Sequence, residues 1–389
     1  MDVKAVVLVG GRVPEGAGTP EFVCGAPVGL LDVVGAPVVH RAVSRLEQFG
    51  ITDACIITEN PPDPALLERG IFRPGIKWFN GTGEKFWRCA EAAFSDLAQA
   101  GAELVILVRL GAYAEIDYEE LIQRHLDREA RLTRATDADG RSLDTFVVSA
   151  SRRNDAAYLL RHELKQFRIS CHDYRFSGYI NRLETAGDLR RLALDCFSRD
   201  VAFTPMGTEI KPGVWVGERV RIHKRARVLA PAFIGSHSRI RALAVITRAS
   251  VVEHHSEVDC GSVVENSTVL PFSYIGPGLD LCHSVVGLRR IAHLLRHAEV
   301  EIWEPKFVGL AAASASVRAV SSAFGLATFV PRQFIRGLFS KPTPVPSSLP
   351  QAINTPAAAL KRPHIEKLPA PEHGRELADL AVARRYGNE

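Results

Sequence analysis

The sequence predicts an α/β domain on a mostly parallel sheet, then a left-handed parallel β-helix, then a helical and disordered tail. Three observations carry that expectation. Apolar strands alternate with amphipathic helices up to about residue 200, the pattern of a parallel sheet covered on both faces. Aliphatic residues then recur every six positions, at Ile210, Val216, Ile222, Val228, Ile234, Ile240, Ile246, Val252, Val258, Val264 and Leu270. A strict period of six fits neither a helix nor an ordinary strand, but it fits a triangular coil in which each hexad is one flat face. Lastly, Pro342, Pro344, Pro346, Pro350, Pro356, Pro363, Pro369 and Pro371 crowd a stretch with few large apolar residues. Such a stretch buries too little surface to fold and reads as an extended linker.

Lys4–Val9 is a largely apolar strand ending in Gly10-Gly11. Pro37 opens a helix with apolar positions Val38, Ala42, Val43, Leu46 and Phe49, and Gly50 closes it, following the proline-first, glycine-last preference of helices. Ala54–Thr58 is the next strand. Phe86, Ala90, Ala93 and Leu97 mark one helix face, Leu104–Val108 is a strand, and Asp117 opens a helix through Ala130. In the hexads, the aliphatic residue fills the axis. A small or β-branched residue four positions on (Val214, Val220, Ala226, Ala232, Ser238, Ala244, Ser250, Ser256, Ser262, Thr268) turns the corner. The period falters after Leu270, where Pro271, Pro277 and Gly278 intrude, so a last irregular coil is expected to end near Val286. The expected division is 1–204 for the α/β domain, 205–290 for the β-helix, 291–340 for an Ala/Ser/Phe-rich helical segment and 341–389 for the Pro-rich tail with a short terminal helix.

Net charge is only +4, so bulk electrostatics do not suggest nucleic acid. Seven scattered cysteines without CxxC spacing suggest reduced thiols rather than disulfides or zinc. The N-terminus runs straight into a strand with no signal-peptide pattern, which predicts a cytoplasmic protein. Residues 307–330 carry one charge, Arg318. A central arginine costs ~2.5–3.5 kcal/mol on insertion, so the 307–339 segment is expected to pack on the β-helix or contact a membrane surface or partner rather than span.

In a parallel sheet ligands bind at the carboxyl ends of strands, so the loops after Val9 and Val108 are the first places to look for chemistry. His254-His255 lies within the hexads, and Arg219, Arg221, His223, Lys224, Arg225 and Arg227 cluster on outward positions of the first coils. The histidine pair is expected at an exposed coil surface. The basic cluster reads as a solvated face, or as a docking site for an acidic partner or nucleotide. Cys171 and His172 are a poor dyad, since adjacent residues of a strand point to opposite faces.

Residues 1–290 resemble the sugar-phosphate nucleotidyltransferases, also called nucleotide-sugar pyrophosphorylases, and within them the mannose-1-phosphate guanylyltransferase-like group with a short C-terminal hexapeptide β-helix. The resemblance rests on the order of Lys4-Ala5-Val6-Val7-Leu8-Val9-Gly10-Gly11, Gly35-Ala36-Pro37 before a helix ending Phe49-Gly50-Ile51, Gly81-Thr82-Gly83 before a helix, Ile116-Asp117-Tyr118-Glu119-Glu120-Leu121 leading to His125, and Gly178-Tyr179 followed by Thr185-Ala186-Gly187-Asp188-Leu189. It implies a Rossmann-like domain. It also implies transfer of a nucleotidyl group to a sugar 1-phosphate, with Mg²⁺ held by two aspartates and phosphates held by a Gly-rich loop and a nearby Lys-Pro.

The chain departs from that pattern where the chemistry is done. The loop reads Gly10-Gly11-Arg12-Val13-Pro14-Glu15-Gly16-Ala17-Gly18-Thr19-Pro20, with Pro20 where the family has arginine, although Arg12 offers another cation. The Lys-Pro segment aligns with Ala26-Pro27 or Val28-Gly29 and supplies no cation. The metal aspartates align with Gly111 and Arg182, and no Glu-Lys-Pro lies between His125 and Phe146. A divalent metal needs oxygen ligands, and arginine offers none.

The expectation is therefore a catalytically degenerate relative acting as a nucleotide- or nucleotide-sugar-binding or regulatory subunit. Gly10, Gly11, Arg12, Gly81, Thr82 and Gly83 are its candidate nucleotide contacts. Its β-helix would mediate homo-oligomers or pairing with an active relative. Two alternatives stand. One is an active transferase with a rearranged site, using Arg12, Mg²⁺ and Asp117 or Asp144 as the metal aspartate. The other is a hexapeptide acyltransferase with a histidine base. Asp117, at a helix start, also reads simply as a cap.

Overall fold

The computed structural model describes residues 1–10, 22–23, 26–59, 76–150, 172–287, 289–304 and 307–311. Its first part is built on β1 (Val3–Val9), β2 (Ala54–Thr58), β3 (Lys77–Asn80), β4 (Leu104–Arg109), β5 (Leu132–Thr136), β6 (Ser142–Ser149) and β7 (His172–Arg175). They form one seven-stranded sheet in the order β7-β5-β6-β4-β1-β2-β3. Every strand but β6 runs the same way. The apolar run of β1 follows from this placement, because a central strand buries both faces. Ala5, Val7 and Val9 face one core, Val6 and Leu8 the other.

Among the described residues, three helices cover the sheet: α1 (Val38–Gln48), α2 (Glu84–Gln99) and α3 (Tyr118–Asp127). Val39, Val43 and Leu46 of α1 join Tyr118 and Leu121 of α3 on one face. Phe86, Ala90, Ala93, Phe94 and Leu97 of α2 fill the other. Each large side chain so buried contributes roughly 1.5–3 kcal/mol. α1 holds Pro37 at its N-cap and ends before Gly50, which takes φ +79° and donates to the Glu47 carbonyl. α3 stops short of the expected Ala130. Glu129 adopts φ +45° after the Arg128 cap, and Ala130 N–H turns back to the His125 carbonyl.

From Val214 the chain winds through three sheets in rotation, each strand pairing in parallel with one a full turn later. Val216 pairs Ile234 and Ile234 pairs Val252, three hexads on each time. The axis holds Ile234, Ile240, Ile246, Val252, Val258 and Val264. The corner serines do more than save space. Ser238, Ser250, Ser256, Ser262 and Ser267 donate their hydroxyls to carbonyls of the following turn. They also accept N–H groups from that turn, at Ser256, Ser267, Ser273, Leu279 and Ser284. Backbone that would otherwise be buried and unpaired is satisfied in this way.

Three sequence expectations need correction. Ile210 is not an axis residue: it lies in the antiparallel strand Thr208–Lys211 and is 53% exposed. Leu270 is not one either. The last turns are one residue shorter, so Val252 pairs Val269, Val269 takes the axis and Ser267 takes the corner position assigned to Thr268. Leu270 thereby faces outward into a different core. Finally, the start of the segment read as helical from 291 is strand. Arg290–His293 and Ala298–Glu301 extend one sheet antiparallel, and Val308–Leu310 pairs antiparallel with Ser273–Ile275. Alternation such as Ala298-Glu299-Val300-Glu301 suits a strand better than a helix. The Pro-rich tail and residues 312–340 lie outside the described residues. Among those described, no helix is long and apolar enough to cross a membrane.

The winding is fastened to the sheet domain by a hairpin and a helix. Asp32–Val33 pairs with Ala36–Pro37 around Val34 (φ +51°) and Gly35 (φ +93°), a two-residue turn with both centres left-handed. A Cβ on Gly35 would lie 2.6 Å from the Phe233 ring of the winding. Glu253, fully buried, accepts the N–H groups of Val34 (2.7 Å) and Gly35 (3.0 Å). His254 Nε2 meets Asp32 Oδ2 at 3.2 Å. Arg41 donates to the carbonyls of Val33, Val34 and Thr204 and lies over the Phe203 ring. α4 (Ala186–Ser198) lies on the same face of the winding. Its buried Arg190 reaches Asn266 Oδ1 at 2.8 Å, and burial lowers that guanidinium to about 10. Leu183, Leu189 and Leu192 pack with Phe233, Val251, Leu270 and Val285 around these polar contacts.

Candidate functional site

The carboxyl ends of β4, β1, β2 and β3 set Leu110-Gly111, Gly10, Glu59 and Gly81 in a row across the sheet. Leu110 N–H bonds to the Leu8 carbonyl, and Gly81 N–H to that of Thr58. Gly10 takes φ +111°, and a Cβ there would lie 2.9 Å from the Glu59 side chain. Gly81 is pressed on the backbone of Lys85, where α2 begins, and Gly83 is the N-cap of that helix. Thr82 and Gly83 are exposed. The structure thus brings Gly10 into one row with Gly81-Thr82-Gly83, while Gly11 and Arg12 lie outside the described residues. Beneath the row, the turn Val28–Leu30 packs Gly29 against Val9 and Leu110. It brings apolar atoms, not a cation, to the strand ends.

Gly111 and Arg182 flank the same short strand pair. Tyr113–Ala114 pairs antiparallel with Ile180–Asn181, Asn181 opposite Tyr113, so Arg182 leaves the pair at the end where the Gly111–Ala112 bend enters it. The Arg182 guanidinium is bonded to Asp137 Oδ2. Asp137 also accepts the Arg141 N–H at 2.8 Å. Desolvation pushes its carboxyl up, but that N–H and the Arg182 guanidinium hold it below its ordinary value. Next to it, Arg109 and Asp144 form a buried pair at 3.3 Å. Burial raises the Asp144 carboxyl, against the pull of Arg109 and, more weakly, Arg182 and Arg134.

A magnesium ion takes about six oxygens in near-octahedral array. Asp137 and Asp144 are each held by a guanidinium, and Arg182, which the resemblance aligns with a metal aspartate, offers no oxygen. The residues do not fit that ion. Among the described residues no cluster of three or more His, Cys, Asp or Glu side chains is placed to hold a metal. Asp117 is spent at the N-cap of α3, where Oδ1 accepts the Glu120 N–H at 3.0 Å. Thr185 and Asp188 form a reciprocal capping box on α4, so that part of the family pattern is a helix start.

His254 is not at an exposed surface as expected. It is 3% exposed, between Asp32 and His255, its Nδ1 2.9 Å from that of His255. His255 in turn stacks with His237 on one side and Phe272 on the other. The hairpin that covers His254 comes from far earlier in the chain, which the local sequence does not reveal. Asp137 was not singled out by the sequence. The one local signal was the Asp137–Gly140 turn between β5 and β6, where Gly140 N–H bonds to the Asp137 carbonyl.

His125 is structural. Ser149 Oγ donates to the Ala130 carbonyl, so it accepts from His125 Nε2–H (2.9 Å), leaving Nδ1 to accept from Thr133 Oγ1 (2.9 Å). Burial, with His172 nearby, lowers the imidazole to about 4. The unfolded chain therefore binds a proton that the folded chain refuses between about pH 6.5 and 4. His125 lends its stability fully above 6.5 and loses it as pH falls through that window. Urea melts at pH 7.5 and 4.5 should differ by up to about 3 kcal/mol from this group. His125→Gln is expected to flatten that part of the profile, and an unchanged profile would refute the assignment.

No protein-family model matches the sequence, and no curated protein matches it either. Among solved structures, the chain is similar to one described as "Crystal structure of HddC from Yersinia pseudotuberculosis". The identity is 16% and the TM-score 0.37, over 49% of this chain and 98% of that one. A likeness of that degree carries no weight for function.

Proposed function

We propose that this chain is a nucleotidyltransferase-type protein, related to NDP-sugar pyrophosphorylases, that has lost metal-dependent transfer and acts as a nucleotide- or nucleotide-sugar-binding, regulatory subunit. The observation that carries this is the Arg182–Asp137 ion pair beside Gly111, with Arg109–Asp144 next to it. Nucleotidyl transfer is mostly positioning and electrostatic stabilisation, so exchanging two ligand carboxylates for a glycine and a cation removes several kcal/mol from the transition state. The exposed Thr82-Gly83 link at the start of α2, in one row with Gly10, offers backbone N–H groups to phosphate oxygens, while the Gly81 N–H is already bonded to the Thr58 carbonyl. The three-sheet winding is a left-handed hexapeptide β-helix in this reading, and the protein is cytoplasmic.

The test is pyrophosphate release from the four common nucleoside triphosphates with mannose, glucose and N-acetylglucosamine 1-phosphates, with and without Mg²⁺. No metal-dependent turnover is expected. A nucleotide-induced rise in melting temperature should persist in EDTA. Magnesium-dependent product formation would overturn the proposal in favour of an active transferase.

One observation favours acyl transfer as a second reading. Asp32, His254 and His255 form a chain in which a buried carboxylate orients one imidazole against another, as a base requires. On that reading His255→Ala abolishes an acyl-CoA-dependent activity and leaves nucleotide binding intact.

A further inference from the structure

Among the described residues, nothing pairs with the outer edge of two of the three strands in the first turn of the winding. Arg221–Ile222 and Arg227–Val228 are terminal strands of the five- and four-stranded sheets. The N–H groups of Arg221, His223, Arg227 and Leu229 bond to the second turn. Ladder geometry therefore turns the N–H and C=O of Ile222 and Val228 toward the open side. Among the described residues, only the third sheet is extended there, by the antiparallel strand Thr208–Lys211. The axis side chains are bare at the same level. Ile222 is 36% exposed and Val220, Ala226 and Val228 are half-buried, while Ile240 and Ile246, one turn deeper, are sealed.

The rim around this apolar mouth is cationic. Arg219, Arg221, His223, Lys224, Arg225 and Arg227 are all exposed. None of them forms an ion pair among the described residues. Deeper in the winding, Arg241 and Arg248 are neutralised locally by Glu257 and Glu265. Four arginines and a lysine without ion pairs thus surround two strand edges and an apolar axis that the described residues leave uncovered.

We propose that this end is a docking site for an acidic β-segment of a partner protein, which adds a further rung to the winding. Unsatisfied strand edges template an added strand, alternate apolar side chains would cover Ile222 and Val228, and alternate carboxylates would meet the rim. Charge selects the occupant. Two copies joined end to end by a two-fold axis would set rim against rim, and like charges across an interface are penalised. The inference does not depend on the nucleotide reading.

The test uses the full chain and a fluorescent octapeptide of alternating valine and glutamate, with binding followed by anisotropy. Saturable binding is expected that weakens at least about tenfold at high salt. A similar loss is expected in Arg221→Glu/Arg225→Glu, whose exposed positions leave the melting temperature unchanged. A peptide with proline in place of valine should not bind, because proline cannot pair with an edge. Ile222→Thr keeps a β-branched shape at the axis and should weaken binding without unfolding. No saturable binding, undiminished binding by the charge-reversed variant, or equal binding of the proline peptide overturns the proposal. So does tighter binding of an oligothymidylate, which would assign the rim to nucleic acid.

Discussion

Glu253→Leu is expected to destabilise the protein by about 3–5 kcal/mol, the range for stripping one partner from a buried charged network. The carboxylate is fully buried and receives both N–H groups at the tip of the Asp32–Pro37 hairpin. Leucine would leave those two donors in an apolar junction, at about 1–3 kcal/mol each. Water cannot easily replace it, because Phe233 and Met206 close on Gly35. Arg41 clasps the same turn through the Val33 and Val34 carbonyls. The two clasps should be coupled, so Glu253→Leu and Arg41→Met in a double-mutant cycle should show an interaction of at least about 1 kcal/mol. Unfolding is also expected to change character. The wild-type junction makes sheet domain and winding melt together, and without the clasp their transitions should separate in denaturant. A loss below about 1 kcal/mol with one sharp transition would show that the apolar contacts of Leu189, Leu192, Val251 and Leu270 suffice for the junction.

How far the sequence reveals this molecule depends on the range over which each feature is decided. The central strands and the α2 face are legible because burial imposes its period on consecutive residues, as at Phe86, Ala90, Ala93 and Leu97. The six-residue repeat is legible for the same reason. Its slip between Val264 and Val269 is not, because Leu270 and Val269 suit the axis equally well. What decides is that Leu270 finds a second core against the sheet domain. Glu129 ends a helix without a glycine, which composition alone disfavours. The site divides along the same line. Gly111 and Arg182 could be placed by position in the chain, and the Tyr113–Asn181 pairing brings both to the same end of one short strand pair. Their partners could not. Asp137 and Asp144 lie on the β5–β6 turn and on β6, and only the fold brings them to the two arginines.

The double variant Gly111→Asp with Arg182→Asp is expected to make stability depend on a divalent cation, in a protein whose melting otherwise ignores it. Removing the guanidinium frees Asp137, and the substitutions add two carboxylates at the carboxyl edge of β4, near Asp144. Gly111 is not in the left-handed region, so a side chain there meets no backbone penalty. Without metal, crowded like charges should lower stability, since unpaired carboxylates that share a site disfavour their charged forms. With Mn²⁺ or Mg²⁺ the same oxygens supply the hard ligands such ions require. A cation at about a hundred times its dissociation constant contributes about 2.7 kcal/mol, which is about 5–10 °C in melting temperature. Arg182→Ala serves as the control: it loses the ion pair and gains no ligand, so it should be destabilised and show no metal response. A metal-induced rise in the unaltered chain would mean that it already holds the ion through other oxygens, and the ion pairs would not be what replaced the site. Absence of a response in the double variant would instead place the metal positions of the resemblance elsewhere in the chain. The expected pattern separates these outcomes because it requires a metal response from the double variant alone.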